Sequence, residues 1–237
     1  MRNIIVQSAH EAFNTNPYDA VNMDHIAERA LLSRATLYNY FKNKETLYFE
    51  VGLNGWMETG KKLPSFIESE PTGLQKIMKL VPIGFHGVLE TPLYYEILRR
   101  FLEKNKEASI PVEEQYFSMN MDQIEKLTFS EETILLRYFH ELQKYVQIWR
   151  DAIELGQIDG SIRNDISSEH LTLLTSMYIN GMIEQIVLQK DALRVYNLDL
   201  NYAIGIISDN LRRSLETSVQ AVEEKKYRRT EVRARST

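Results

Sequence analysis

The sequence predicts an all-α protein in which a small N-terminal three-helix domain precedes a larger helical domain. Three observations support this fold class: apolar residues recur at three-to-four spacing along most of the 237 residues, no segment alternates convincingly between apolar and polar residues, and three of the six prolines stand near predicted helix starts. Hydrophobic residues make up 43% of the chain, enough for a substantial core. We place the small domain at 1–47, the larger domain at 48–222, and a basic tail, disordered or ending the last helix, at 223–237.

The beginning of the chain predicts three short helices that share one core. An apolar face predicts the first over about 4–13. Asn22 is a capping residue for a second helix over about 22–30, and Ser33 is one for the third. Ala27 supplies the small residue that two steeply crossing helices need at their closest approach. The expected buried contacts are Ile5, Ala9, Ala12, Phe13, Ile26, Leu32 and Leu37.

The third helix presents hydroxyl, amide, phenol and cationic groups in one short stretch. From Arg29 to Lys44 there are four basic residues and no acidic one, although residues 1–50 carry five Lys+Arg against six Asp+Glu. Residues 51–222 are acidic, with a formal charge of −7, which leaves phosphate contact to the small domain. The pattern predicts a helix-turn-helix whose last helix enters the major groove of DNA, although an ordinary helical hairpin would satisfy part of it.

Four runs of residues carry a family resemblance. They are Ala12-Phe13, Tyr18-Asp19-Ala20, Asp24-His25-Ile26-Ala27 and residues 33–47, and the last follows the pattern S-x-x-T-L-Y-x-x-F-x-x-K-E-x-L. In these runs residues 4–50 resemble the DNA-binding domain of the TetR/AcrR family of transcription regulators. The resemblance implies double-stranded DNA as a partner.

By this resemblance, the DNA contacts come from the third helix and the start of the second. Arg34 and Thr36 are expected at base edges, and Asn39 at a base or a phosphate. The methyl group of Ala35 could contact a thymine methyl or simply favour the helix. The residues expected at phosphates are Asn22, Ser33, Tyr38, Tyr40 and Lys44, although Tyr40 could instead complete the core.

Three positions depart from the family pattern. Leu31 stands in the turn where the family usually has a glycine in the left-handed conformation, at a cost of about 1 kcal/mol unless the turn differs. Pro17 stands where a glycine commonly follows the first helix, and it ends a helix by its own chemistry. Ala35 replaces a frequent glycine at the start of the recognition helix.

The larger domain is predicted to be a succession of amphipathic helices. We expect Pro64 to end the helix that follows the small domain. Pro82, beside Gly84 and Gly87, is expected either to kink its helix into a mobile wall or to break it in two. A turn-rich loop at 156–165 resembles the family's G-x-x-x-G-x-[IL]-R-x-D connection. The predicted helices cover 45–62, 72–89, 92–106, 111–127, 131–156, 167–190 and 198–222.

The last two predicted helices each carry an apolar face and a central glycine, Gly181 or Gly205. Such a glycine costs roughly 1 kcal/mol against alanine, and close helix approach is one compensation. In the family, the corresponding pair packs against its copy as a four-helix interface, so the resemblance implies a homodimer; the alternative is a monomer core. The interface residues are expected to be Leu171, Leu174, Tyr178, Gly181, Met182, Ile186, Leu200, Ile204, Gly205, Ile207, Leu211 and Leu215.

Aromatic side chains of the larger domain could line a cavity for a drug-sized or acyl ligand. The absence of an obvious basic pocket favours an apolar or cationic small-molecule effector. Most aromatic residues at helical spacing belong to a core, so we expect about a third of the candidates to touch a ligand. The candidates are Trp56, Phe85, His86, Tyr94, Tyr95, Tyr138, Tyr145, Trp149, Met177 and Tyr178.

Composition argues against several other classes of protein. The chain has no cysteine, its five histidines lack metal-binding spacing, and neither a phosphate-binding glycine loop nor a nucleophile elbow is present. We therefore expect no enzyme activity, no metal and no cofactor. No apolar run approaches the roughly 20 residues that span a membrane, and no secretory signal pattern is present, so a cytoplasmic location is expected.

Three functions remain open at this stage. The first is a homodimeric repressor that a small-molecule ligand releases from a near-palindromic operator. The second is a dimeric DNA-binding protein without such a switch, acting as an activator, as an architectural factor or under a partner's control. The third is a helical protein-interaction module that does not bind DNA, which only Leu31 supports.

Overall fold

The computed structural model describes residues 1–104 and 131–217. Within these residues every regular element is an α-helix or a 3₁₀ turn, apart from one isolated antiparallel bridge between Ile162 and Glu216. The all-α class predicted from the sequence is confirmed. The predicted helix at 111–127 and the basic tail at 223–237 lie outside the described residues.

Three short helices form the beginning of the chain. α1 spans Arg2–Thr15, α2 spans Met23–Arg29 and α3 spans Arg34–Tyr40, with a 3₁₀ turn at Tyr18–Ala20. The expected core residues are buried except Leu32, which packs against the core while partly exposed. The buried ones are Ile5, Ala9, Ala12, Phe13, Ile26 and Leu37.

Helix α4 follows directly and spans Lys44–Ile67. The prediction that Pro64 ends this helix is wrong, because Pro64 lies inside its last turn. A proline there removes only the one hydrogen bond that its nitrogen would have donated to the carbonyl of Gly60. Gly60 has no side chain to add to the steric conflict, and the helix continues for just three residues beyond Pro64.

Three further helices are α5 at Gly73–Glu90, α6 at Pro92–Lys104 and α7 at Glu131–Asp159. Pro82 lies within the continuous α5, so the alternative of a helix broken in two is wrong. The loop predicted from residue 156 begins later than expected, because α7 continues to Asp159 and Gly160 then takes a φ of +84°. That left-handed conformation is the one a glycine adopts readily at the end of a helix.

The last helices are α8 at Ser168–Leu188, α9 at Lys190–Val195 and α10 at Leu200–Leu215. The six-residue α9 was not predicted, and the predicted end of the last helix at residue 222 is wrong. Glu216 leaves helical geometry at ψ 142° and pairs with Ile162, and the N–H of Arg163 donates to the carbonyl of Leu215 at 2.8 Å. These contacts occupy the backbone where the helix would otherwise continue.

The described residues divide into two compact units. The first unit comprises 1–62, 90–104 and 131–144, and the second comprises 63–89 and 145–217. The long helices α4 and α7 contribute a segment to each unit. The predicted domain boundary at 47/48 stays a prediction.

Each unit has its own apolar cluster. In the first, the ring of Tyr138 stacks on Phe101 with the centroids 4.1 Å apart, and both side chains are buried with the core of α1 to α4. In the second, Leu63, Ile67 and Leu80 are buried. The partly buried residues that pack on this second cluster are Ile83, Tyr145, Ile148 and Trp149.

Among the described helices, α8 is long and apolar enough by composition to cross a membrane, contrary to the expectation that no apolar run approaches that length. Its mean hydropathy is 1.2, and 33% of the apolar stretch is buried within the protein. Core helices of soluble proteins meet the same length and composition, so this property alone does not define a membrane span.

Candidate nucleic-acid interface

Helix α3 is seated on the first unit by a single side chain. Leu37 is fully buried, whereas the other six residues of this helix are exposed or partly exposed. Ser33 caps the helix as predicted, because its Oγ accepts a hydrogen bond from the N–H of Thr36 at 3.1 Å. The outward face of α3 therefore combines guanidinium, hydroxyl, amide and phenol groups on a short rigid element.

Helix α2 packs against α3. Its predicted cap is also confirmed, since Asn22 Oδ1 accepts from the N–H of His25 at 2.8 Å. The turn between the helices is a Schellman motif, in which the N–H of Leu32 donates to Ala27 O at 2.9 Å and that of Leu31 to the carbonyl of Glu28 at 3.0 Å. The motif fixes the direction in which α3 leaves α2.

Leu31 adopts the left-handed conformation in that turn, with a φ of 56°. The turn thus keeps the conformation that the family usually gives to a glycine, at a cost of about 1 kcal/mol. The side chain of Leu31 is 92% exposed and gains nothing from the core. The departure at this position therefore does not alter the helix-turn-helix, which removes the observation that favoured an interaction module.

Two arginines of the basic stretch are held by carboxylates. Arg34 Nη1 donates to Asp24 Oδ2 at 3.0 Å, and Arg29 Nη1 donates to Glu11 Oε2 at 3.1 Å. The guanidinium of Arg34 also lies over the ring of Tyr38, with its Cζ 5.5 Å from the ring centroid. These contacts leave Arg34 at the surface, with its side chain 67% exposed.

Lys44, which the sequence assigned to a phosphate, is engaged within the first unit. Its Nζ donates to the carbonyls of Tyr18 and Val21, both at 2.8 Å, and lies 4.1 Å from the centroid of the Tyr18 ring. Arg100 also lies over that ring, at 4.0 Å. Lys44 thus uses two of its three ammonium hydrogens in bonds within the small domain. Lys42 of the same stretch is exposed.

The predicted dimer residues divide between the interior and the surface of the second unit. The glycines lie open, because a Cβ at Gly181 or Gly205 would meet nothing within 4 Å in the described part of the chain. Leu174 is exposed as well, and Tyr178 Oη donates to the carbonyl of Ile207 at 3.3 Å. Met182 and Leu200 are partly exposed. The buried ones are Leu171, Ile186, Ile204, Leu211 and Leu215.

Sequence reasoning missed several exposed apolar residues beside those glycines. On α8, Leu173 and Met177 are 59% and 63% exposed, and Met177 had been assigned to the ligand. On α10, Tyr202 and Ile206 are 61% and 45% exposed. Helical periodicity finds an apolar face but does not tell an inward face from an outward one.

The residues predicted to contact a small-molecule ligand are divided between the two units. Trp56, Tyr94, Tyr95 and Tyr138 belong to the first unit, and Tyr138 is buried with its hydroxyl lacking a hydrogen-bond partner among the described residues. Burial raises the pKa of Tyr138 well above the usual range. The candidates in the second unit are Phe85, which is buried, and His86, Tyr145, Trp149, Met177 and Tyr178.

Sequence reasoning also missed a buried charge cluster. Glu50 is 3% exposed and accepts hydrogen bonds from Arg137, and Arg2 approaches its Oε2 at 3.1 Å. The partners lie far apart along the chain, so no local pattern could reveal them. Within residues 1–104 and 131–217, no group of three or more histidine, aspartate or glutamate side chains could hold a metal ion.

Two short helices joined by a tight turn, with the second exposed at the surface, have the arrangement of a helix-turn-helix. Residues 5–51 match the sequence model described as "Bacterial regulatory proteins, tetR family". The chain is also 36% identical over 50 residues to an uncharacterized HTH-type transcriptional regulator of Bacillus subtilis, YhgD. That match covers 21% of this chain and about a quarter (26%) of the relative.

Solved structures match nearly the whole chain in fold. A transcriptional regulator from Saccharomonospora viridis in complex with choline has a TM-score of 0.65 at 16% identity, covering 92% of this chain and 98% of that one. FadR from Bacillus subtilis in complex with stearoyl-CoA has a TM-score of 0.55 at 16% identity, covering 90% and 96%. Residues 5–51 thus match the TetR-family N-terminal domain in sequence, and the fold is similar to that of solved TetR-family regulators.

Proposed function

We propose that this chain is a sequence-specific, DNA-binding transcription regulator that binds through α3. The observation that carries the proposal is the outward face of this helix, on which Arg34, Thr36 and Asn39 stand free of the core while Leu37 anchors it. An α-helix fits the major groove, where arginine and amide side chains distinguish base edges. The capped turn holds the helix rigidly enough for such contacts to be selective.

The phosphate contacts flank this reading face. Asn22 at the start of α2 and Ser33, Tyr38 and Tyr40 around α3 can donate from side chains at the same surface. Lys44 donates two hydrogen bonds within the domain, so its contribution to DNA binding is chiefly to hold the turn before α2 in place. The exposed Lys42 is the better candidate for a direct phosphate contact.

We further propose a homodimer formed through α8 and α10. Support comes from the exposed apolar residues Leu174 and Met177 on α8 and Tyr202 on α10, which lie on the same helices as the open glycines Gly181 and Gly205. Two copies place two recognition helices on one duplex, and half-sites about 34–36 Å apart fit a near-palindromic operator. Such a protein acts where the chromosome is, which in bacteria is the cytoplasm.

The proposed regulation is that of a repressor that a small molecule releases from DNA. A ligand that prefers a conformation with the wrong spacing of the two recognition helices weakens DNA binding by that preference. Solved structures of similar fold contain choline, which is cationic, and stearoyl-CoA, whose acyl chain is apolar, and these ligands support a cationic or an acyl-chain effector. The aromatic candidates, such as Trp56 with Tyr94 or Tyr145 with Trp149, offer surfaces for either class.

Selection of bound fragments from a random duplex pool tests this function. We expect a near-palindromic site whose base preference relaxes at one position per half-site in Arg34→Ala. Lys42→Ala should weaken all sequences alike, because a phosphate contact carries no sequence information. No enrichment at low salt would overturn the proposal. The selected duplex then serves to screen acyl and quaternary-ammonium compounds for release.

A further inference from the structure

Asp24 contacts the arginine that the proposed function assigns to base edges. Asp24 lies in the first turn of α2 and Arg34 in the first turn of α3, and the 3.0 Å hydrogen bond joins the two helix starts. The other carboxylate oxygen, Oδ1, is buried and accepts no hydrogen bond among residues 1–104 and 131–217. Asp24 thus binds Arg34 through Oδ2.

The ion pair between Arg34 and Asp24 adds little to the stability of the fold. The two side chains are 67% and 50% exposed, and ion pairs of that exposure contribute about 0–1 kcal/mol or nothing measurable. The pair acts instead on orientation, because a free arginine side chain has many rotamers. Asp24 and the ring of Tyr38 both contact the guanidinium and favour the orientation seen here.

We propose that Asp24 is a specificity-determining positioning residue, which orients Arg34 so that its remaining N–H groups meet a guanine. The inference rests on the proposed function. A guanidinium has five N–H donors in a planar fork, and Asp24 occupies a terminal nitrogen, Nη1. The remaining donors can pair with the O6 and N7 acceptors of guanine in the major groove.

The Asp24 carboxylate also weakens non-specific binding to DNA. DNA phosphates attract any free arginine, and such contacts dominate non-specific binding. Asp24 already neutralises Arg34, and its charge lies two residues from Asn22, a proposed phosphate contact. Binding at a site without the guanine therefore leaves Arg34 with its carboxylate and gains little, which is how a repulsive element adds to specificity.

Asp24→Asn tests the inference, because it keeps the shape of the side chain and removes its charge. We expect discrimination between the selected duplex and one with the guanine replaced to fall about tenfold, within the range that a bidentate arginine–guanine pair supplies. Binding to an unrelated duplex should become tighter. Thermal unfolding should change little, since the pair is exposed.

Glu11→Gln is the matched control. The pair of Glu11 with Arg29 has nearly the same geometry and exposure, at 3.1 Å with side chains 50% and 48% exposed, and the charge change is identical. Its effect on overall affinity measures the added positive charge alone. Base discrimination should be unchanged in this variant.

A double-mutant cycle completes the test. In an Arg34→Ala background, Asp24→Asn should leave base discrimination unaltered, because the residue through which it acts is gone. Unchanged discrimination in Asp24→Asn, or an equal change in Glu11→Gln, would overturn the inference while the selected site still stands. If the wild-type protein selects no duplex at all, the proposed function itself fails.

Discussion

Arg137 and Glu50 form a buried ion pair in which Nη1 of the arginine donates to both carboxylate oxygens at 3.1 Å. Arg2 approaches the same carboxylate at 3.1 Å, and its guanidinium lies 4.3 Å from the centroid of the Phe41 ring, just after α3. Helices α1, α4 and α7 therefore meet at one negative charge. This cluster links the helix-turn-helix to α7 within the first unit.

Removing that charge should destabilise the protein strongly. In Glu50→Gln both arginines lose their counterion, and we expect the free energy of unfolding to fall by about 3 kcal/mol. This value is toward the low end for buried pairs because the side chain of each arginine is about one fifth exposed to solvent. Urea denaturation measures the change. The control is Glu58→Gln, whose pair with Lys61 is at the surface and should cost under about 1 kcal/mol. Equal losses would contradict the role assigned to Glu50.

The start of α5 crosses α7 at a pair of glycines. A Cβ on Gly73 would lie 2.1 Å from the backbone nitrogen of Gly156 and 2.2 Å from the carbonyl oxygen of Ala152. Backbone atoms cannot yield as a side chain does, so Gly73→Ala should cost about 3 kcal/mol or more. Gly84→Ala, on the same helix with open space, should instead stabilise by about 1 kcal/mol. Thermal unfolding distinguishes the two, and similar shifts would disprove the close crossing.

The open glycines of α8 and α10 give a test of the proposed dimer. Gly181→Ala and Gly205→Ala should each leave the fold intact, because the added methyl group meets nothing within the described part of the chain. If a partner helix packs there, each should weaken the dimer about tenfold, or about 1.4 kcal/mol. Sedimentation over a range of concentrations measures this. An unchanged dissociation constant would place the interface elsewhere.

His140 should make stability depend on pH in the acidic range. Burial lowers the pKa of His140, assisted by Lys144 and opposed by Glu141. The unfolded chain therefore binds a proton more readily, so stability should fall as the pH drops through about 6.5, the ordinary histidine value. His140→Gln should reduce that acid dependence in urea titrations at a series of pH values. An identical pH dependence would show that other groups cause it.

Local signals carried the sequence predictions that succeeded. Asn22 and Ser33 cap helices because their side chains reach amides three residues on, a relationship visible within one turn of sequence. Periodicity found the core of the small domain for the same reason. The left-handed Leu31 shows that a family turn can persist without its glycine when the surrounding hydrogen bonds fix it.

Contacts between distant residues account for the failures. The last helix ends early because Glu216 pairs with Ile162, and the charge cluster at Glu50 joins residues 87 positions apart in the case of Arg137. The prediction that Pro64 ends its helix is wrong because the destabilisation caused by a proline depends on its position within the helix. Which apolar residues of α8 face outward depends on packing that periodicity does not encode.

Equilibrium binding to the selected duplex and to a scrambled one, over a series of salt concentrations, tests whether α3 reads DNA. We expect a steep linear fall of log affinity with log salt on both, with a slope of about −0.9 for each phosphate neutralised, and a large preference for the selected duplex that Arg34→Ala reduces. Equal affinity for the two duplexes, or binding that salt does not weaken, would contradict a DNA-reading role for α3.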